Sequence, residues 1–356
     1  MKIGVFSVLF GQKPFEETLD YIVDLGLGAV ELGTGAYPGN AHANPAALLA
    51  SDRRLKAFKE AIDRRNLVIS ALSCHGNPLH PHAATAKAHH KVFEQTVELA
   101  AKLGVETVIT FSGCPGADAK AVTPSWFVSP WPPEFAKALE WQWSERVLPY
   151  WKQTAAICRK AGVRVGIEMH PNFVVYNAET MNRLRAVSPA VIGCNFDPSH
   201  LFWQGADPVA AIRAIGDGIF HVHAKDCKLD AANIAVNGVL DAKPYTRELE
   251  RSWIFRTVGY GNGAPVWKAM VSTLRLVGYD HVLSIEHEDS LMSGTEGLKK
   301  AIAFLKDVVI SEPAGEAYWA SMKPFHGIIF GSMLTNIRDS AEARARRSSR
   351  PLTPSA

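Results

Sequence analysis

Residues 166–171 read GIEMHP and residues 284–289 read SIEHED. Each is a short apolar run that ends in a carboxylate and an imidazole, where a β-strand would stop. Successive side chains of a strand alternate, so Glu168 and His170 can share one face. Working outward, runs of this kind recur at 2–10, 29–33, 68–76, 106–113, 164–171, 190–200, 218–226 and 281–289. Amphipathic stretches lie between them. EETLDYIVDLGL spaces Leu19, Ile22, Val23 and Leu25 for a helix, and residues 83–103 read as a long helix stopped by Gly104. Parallel neighbours need crossover connections, so this alternation predicts an α/β fold with a parallel sheet. Eight such units close as a (β/α)₈ TIM barrel. An open doubly wound sheet would want a glycine-rich turn after its first strand, and FGQKPFEE is not one.

The chain has 356 residues, enough for one large barrel with extensions. The barrel is expected over 1–310, with a Trp/Pro-rich insertion at 114–150 and a second at 227–264. An extension follows over 311–356, with a flexible tail after about 335. Both insertions hang from the C-terminal side of the strands, where barrels keep their active sites. A net charge of +3 gives no strong field, which argues against nucleic acid as partner. The basic run at 343–350 reads as a solvated end. Cys74, Cys114, Cys158, Cys194 and Cys227 form no C-x-x-C pair and read as reduced thiols of a cytoplasmic protein. No run approaches the ~18 apolar residues of a membrane span.

The strand ends carry the chemistry. Strand two ends at Glu31 and strand three at His75 and Asn77. Strand five ends at Glu168 and His170, and strand six at Asp197 and His200. Strand seven carries His221, His223, Lys225 and Asp226, and strand eight Glu286, His287 and Glu288. Glu31, Asp226 or Glu288 alone reads as readily as a capping or pairing group. Glu168, Asp197, His223 and Glu286 come from four neighbouring strands, and three buried carboxylates converging without a cation would cost several kcal/mol. A divalent metal removes that cost. Oxygen ligands with one nitrogen suit Mn²⁺, Mg²⁺ or Co²⁺ best, with Zn²⁺ also compatible.

I-E-x-H-P, N-F-D-P-S-H, H-V-H-A-K-D and I-E-H-E-D resemble the xylose-isomerase-like barrels, which include sugar isomerases, ketose 3-epimerases, inosose dehydratases and nucleases of the endonuclease IV type. The resemblance implies metal ligands Glu168, Asp197, His223 and Glu286, with His223 chosen over His221 because it directly precedes A-K-D. It implies a substrate contact at His200. SCHGNPLHP, SPWPPE…EWQW…VLPYW and EMHP are similar to the large subunit of bacterial C-glycoside deglycosidases. That narrower resemblance implies a lyase that cleaves 3-keto glycosides, and a small partner subunit in a hetero-oligomer; a homo-oligomer is the other assembly expected, and Mn²⁺ is the ion expected from the donor set. In that reading His170 takes the C2 proton, the metal stabilises the enediolate and the C1 substituent leaves. The alternative is a sugar or sugar-phosphate isomerase or epimerase with Glu168 and Glu286 as acid and base. The nuclease type needs a further histidine after strand four, where this chain has FSGCPG. His75 and Lys225 are candidate substrate contacts. Trp126 and Trp131 are candidate walls for a flat aglycone, or anchors of the insertion.

Overall fold

The computed structural model describes residues 1–312. The expected extension lies outside the described residues from 313 onward. Eight parallel strands close into a barrel: β1 (Lys2–Phe6), β2 (Ala29–Gly33), β3 (Val68–Ser73), β4 (Thr107–Phe111), β5 (Arg164–Glu168), β6 (Ile192–Phe196), β7 (Ile219–Ala224) and β10 (Val282–Ile285). β8 (Asp226–Leu229) and β9 (Trp253–Arg256) form a separate antiparallel pair. The order around the barrel is β1-β10-β7-β6-β5-β4-β3-β2, so the TIM barrel expected from the sequence is borne out. β2, β4, β6 and β7 are buried at every position, as strands covered on both faces must be.

Local chemistry sets the crossover helices. Ser51 accepts a hydrogen bond from the Arg54 amide to start the helix Asp52–Asp63. Asn177 and Thr180 form a reciprocal capping box for Ala178–Arg185. Gly104 stops the helix Ala83–Leu103 at φ 72°, a left-handed value only glycine adopts without strain. The helix Phe15–Asp24 buries Leu19 and Ile22 against the barrel and leaves Val23 exposed. Among the described residues no helix is long and apolar enough to cross a membrane. All five cysteines are free and buried, and burial pushes the Cys74 and Cys114 thiols up to about 12.

The first insertion folds into the helix Pro133–Trp141 and a π-helical turn, Gln142–Val147, leading into the helix Leu148–Ala161. Trp143 and Trp151 are buried in the core. The second insertion is the β8–β9 pair with a short helix, Ala231–Asn237.

Asp226 ties that insertion down. Its Oδ2 accepts from the amides of Gly259 (3.0 Å), Gly261 (3.2 Å) and Asn262 (3.0 Å) and from the Trp267 indole (3.3 Å). Its Oδ1 accepts from the Cys227 amide (2.9 Å) and the Asn262 side chain (2.7 Å). The GYGNG run, which reads as a turn into the last crossover helix, wraps this carboxylate. A β-carbon at Gly261 would fall 2.5 Å from Asp226 Oδ1, so the wrap requires glycine there. Replacing Asp226 strands these donors, each at about 1–3 kcal/mol if left dry. Asp226→Ala is expected to lower the unfolding free energy by about 3 kcal/mol or more in urea titration; an unchanged midpoint would show that the loop closes without its acceptor.

Candidate active site

β2 brings Glu31 into the barrel interior, with no surface exposed. Ser73 Oγ donates to its Oε1 (2.5 Å) and Ser284 Oγ to its Oε2 (2.6 Å). His223 Nε2 lies 3.0 and 3.1 Å from the two oxygens. A carboxylate only accepts here, so His223 Nε2 carries a hydrogen and Nδ1 is the nitrogen left to face a metal ion. Burial alone would raise the Glu31 carboxyl. The His223 and His221 imidazoles and the hydroxyl donors outweigh it and hold the group at about 2.

His223 Nδ1 faces Glu168 Oε2 at 3.1 Å and Glu286 Oε2 at 2.9 Å. Asp197 completes the group. One ligand atom from each of Glu168, Asp197, His223 and Glu286 lies within 4.8 Å of all the others. Asp197 Oδ2, His223 Nδ1 and Glu286 Oε2 are buried and have no hydrogen-bond partner. Buried polar atoms left this way need a counter-charge between them. Three carboxylate oxygens and one imidazole nitrogen form a donor set that fits a divalent cation of the Mn²⁺, Mg²⁺, Co²⁺ or Zn²⁺ kind. Without one, the Glu31, Glu286 and Glu168 carboxylates outweigh burial and push the His223 imidazole well above its usual value.

Neighbouring residues orient this set. Asn195 Nδ2 donates to Glu168 Oε2 at 3.0 Å, from the strand position in register with Glu168. His221 lies two residues deeper than His223 and hydrogen-bonds Asn195 Oδ1 (2.9 Å) and Ser70 Oγ (3.2 Å). Burial lowers it to about 4, so it is a neutral link in that network. His75 Nε2 sits 2.8 Å from Glu168 Oε2. His200 Nε2 is 3.2 Å from Asp197 Oδ2. Lys225 turns inward to Glu288 (2.6 Å) and Glu286 (3.3 Å), not to Asp226.

His170 lies just beyond the end of β5. Its Nδ1 donates to the Pro171 carbonyl at 2.6 Å, which leaves Nε2 with the lone pair. Its ring is 4.2 Å from His200 and 4.7 Å from Phe111. Burial, then repulsion from His200, holds it at about 3, so it is neutral near pH 7. Two cavities open beside it. One, about 270 Å³, is lined by His75, Phe111, Glu168, His170, Lys225 and Glu286 among others. The second, about 420 Å³, is lined by His170, Tyr245, Ile254, Phe255, Glu288 and Ser290.

The chain's family membership follows from a matching family model. Residues 19–308 match the xylose isomerase-like TIM barrel. The chain belongs to that family. The uncharacterized protein YfiH of Bacillus subtilis (strain 168) is 36% identical over 312 residues, covering 87% of this chain and 99% of YfiH. Among solved structures the barrel is similar to the apo 3-keto-D-glucoside 4-epimerase YcjR from E. coli (TM-score 0.59, 14% identity, 86% of this chain and 99% of that one). It is equally similar to the probable 3-DHS dehydratase AsbF from Bacillus anthracis (TM-score 0.59, 17% identity, 86% and 99%). At these identities the structures speak for the fold alone.

The barrel brings Glu168, Asp197, His223, Glu286, His75, His170, His200 and Lys225 together. Of the tryptophans, Trp126 packs against the clusters that hold Phe111 and Phe255 without lining either cavity. Trp131 is 75% exposed, and Trp126 stands edge-on to Tyr176 beside a separate cleft under the first insertion. Among the described residues, Phe6, Tyr37 and Phe111 line one cavity and Tyr245 and Phe255 the other. Glu31 and Asn195 also belong to the site; the signal for Asn195 was its place two residues before Asp197, on the same strand face.

A chelator-stripped chain is expected to take up one divalent ion. At 100 times its Kd, that ion should raise the unfolding free energy by about 2.7 kcal/mol. Asp197→Asn should abolish uptake, and Glu31→Gln, which removes the carboxylate behind His223 and leaves the four ligand residues in place, should weaken it about 10–100-fold. Metal titration followed by elemental analysis checks both; wild-type affinity in Asp197→Asn would place the ion elsewhere.

Proposed function

We propose that the protein is a divalent-metal-dependent lyase that removes the proton at C2 of a 3-keto glycoside and expels the C1 substituent. Support comes chiefly from His170. It is an imidazole with a free Nε2 lone pair, outside the carboxylate quartet and lining both cavities. A substrate lying across that junction would put a sugar ring over the quartet and the bond at C1 beside His170. A cation held by Glu168, Asp197, His223 and Glu286 would supply Lewis-acid stabilisation of the oxyanion that develops at the sugar carbonyl.

The protein's own residues do the rest. His170 Nε2 takes the C2 proton. The C2–H electron pair is delocalised into the C3 carbonyl, then forms the C1–C2 double bond as the C1–aglycone bond breaks. The aglycone leaves with that bond's electron pair and later takes a proton, so no oxidant or reductant is consumed. His75 and Asn195 hold Glu168 in place, while His200 and Lys225 reach sugar oxygens. The similar E. coli barrel is named for a 3-keto-D-glucoside, which supports a sugar of that class as substrate here. Manganese is our proposed ion. Glu168 and Glu286 both stand at about hydrogen-bond distance from His223 Nδ1, and that facing pair supports a second reading as an isomerase or epimerase acting on a free keto sugar. A small partner subunit remains part of the lyase proposal.

The test uses Mn²⁺-loaded protein in D₂O with a 3-keto glucoside and, separately, free ketohexoses. Aglycone release with loss of the C2 hydrogen is expected, falling about 10²–10⁴-fold in His170→Ala while its metal content stays at wild-type level. Exchange into a free ketose without release would replace the lyase reading with the epimerase one.

A further inference from the structure

We propose that the cleft under the first insertion is a second binding site, separate from the metal floor, for one small neutral polyhydroxylated ring. The cleft encloses about 170 Å³ and is lined by Trp126, Gln142, Trp143, Tyr176, Glu179 and Arg183 among others. None of its lining residues lines either cavity of the candidate active site.

Two buried polar atoms of its lining residues have no hydrogen-bond partner among the described residues: Trp126 Nε1 and Gln142 Oε1. Gln142 is fully buried and starts the π-helical turn. Its Nε2 donates towards three carbonyls, those of Pro115 (3.2 Å), Gly116 (3.1 Å) and Ser125 (2.7 Å). An amide oxygen could not sit among three acceptors, so the orientation is fixed and Oε1 is the atom left over. Buried polar atoms are normally paired, and this cleft far exceeds the ~10–15 Å³ that admits one water.

The two atoms select the ligand. The indole N–H only donates and the amide oxygen only accepts. A carboxylate would answer the first alone, and an ammonium the second alone. A hydroxyl does both, so neighbouring hydroxyls on one ring answer the pair. The rim favours no ion. The Arg183 guanidinium stacks on the Trp143 ring at 4.3 Å and lies 3.6 Å from Glu140, and Glu179 stands one turn before it on the helix Ala178–Arg185. Trp126 meets Tyr176 edge-on at 5.4 Å, and such aromatic walls suit the C–H face of a saturated ring. Trp126 also packs against the clusters that hold Phe111 and Phe255, so one side chain borders this cleft and backs the walls of both active-site cavities.

Full-length protein would be titrated with D-glucose and, separately, with myo-inositol, read by calorimetry and saturation-transfer NMR. Binding of at least one is expected, and which one binds tells a sugar from a cyclitol. Trp126→Phe, which deletes the indole N–H and keeps a ring, should weaken it about three- to tenfold. Leu139→Trp, which fills the cleft from its wall, should abolish it, and Trp126→Phe decides the matter if that variant fails to fold. Asp197→Asn, which disables the metal floor, should leave it unchanged. No binding of either compound, or binding unchanged in Trp126→Phe and in any folded Leu139→Trp, would overturn the proposal and leave the cleft to water. Binding lost in Asp197→Asn but kept in Trp126→Phe would overturn it by placing the compound on the metal floor. The lyase reading stands or falls separately, on aglycone release.

Discussion

Three carboxylates and one imidazole nitrogen meet within 4.8 Å inside this barrel, and the rest of the structure is arranged to hold them there. Two like charges about 4 Å apart repel by about 4 kcal/mol at an effective dielectric of ~20. Several such terms rival the whole ~5–15 kcal/mol by which a protein is stable. The convergence persists because cationic groups are built in beside it. Lys225 lies against Glu286, Glu31 fixes His223 from behind, and the unpartnered oxygens leave one position for a cation. Each member comes from a different strand, so only a closed barrel brings them to one point.

The same strand alternation links that floor to the second cavity. Lys225 and Asp226 are consecutive and point apart. Lys225 enters the site; Asp226 faces away and gathers the backbone of Gly259, Gly261 and Asn262. β8 starts at Asp226 and pairs with β9, which carries Phe255 back beside Lys225. A one-residue slip here would drive the lysine into the loop and the aspartate among the carboxylates. The scaffolding of the apolar cavity and the charge balance of the polar one therefore depend on a single register.

How much of this was legible in the sequence depends on range. The eight apolar runs, the glycine stop at 104 and the acids at strand ends are local patterns, and they led to the barrel and to the four converging ligand residues. In the structure His223 faces Glu168 and Glu286, while His221 sits deeper and serves Asn195. Glu31 was visible as a strand-end acid, but its use depends on His223, 192 positions away. No local pattern encodes such a pairing. The aromatic wall was sought in the tryptophan-rich insertion because composition drew attention there. Trp143 instead anchors that insertion, and the wall forms where residues 226–229 pair with 253–256, a match with little periodicity to read.

His170 shows where strand alternation stops being a guide. β5 ends at Glu168, so His170 is not placed by the ladder. A short loop places it. Its amide donates to Val175 O at 3.1 Å, Asn172 turns the chain at φ 65°, and Pro171 presents the carbonyl that fixes the ring tautomer. Leaving the strand lifts the imidazole out of the quartet to the boundary of both cavities. A histidine inside the ladder would share its lone pair with the cation site and could not serve as a separate base. The proline that ends GIEMHP thus separates the imidazole we propose as base from the carboxylate quartet.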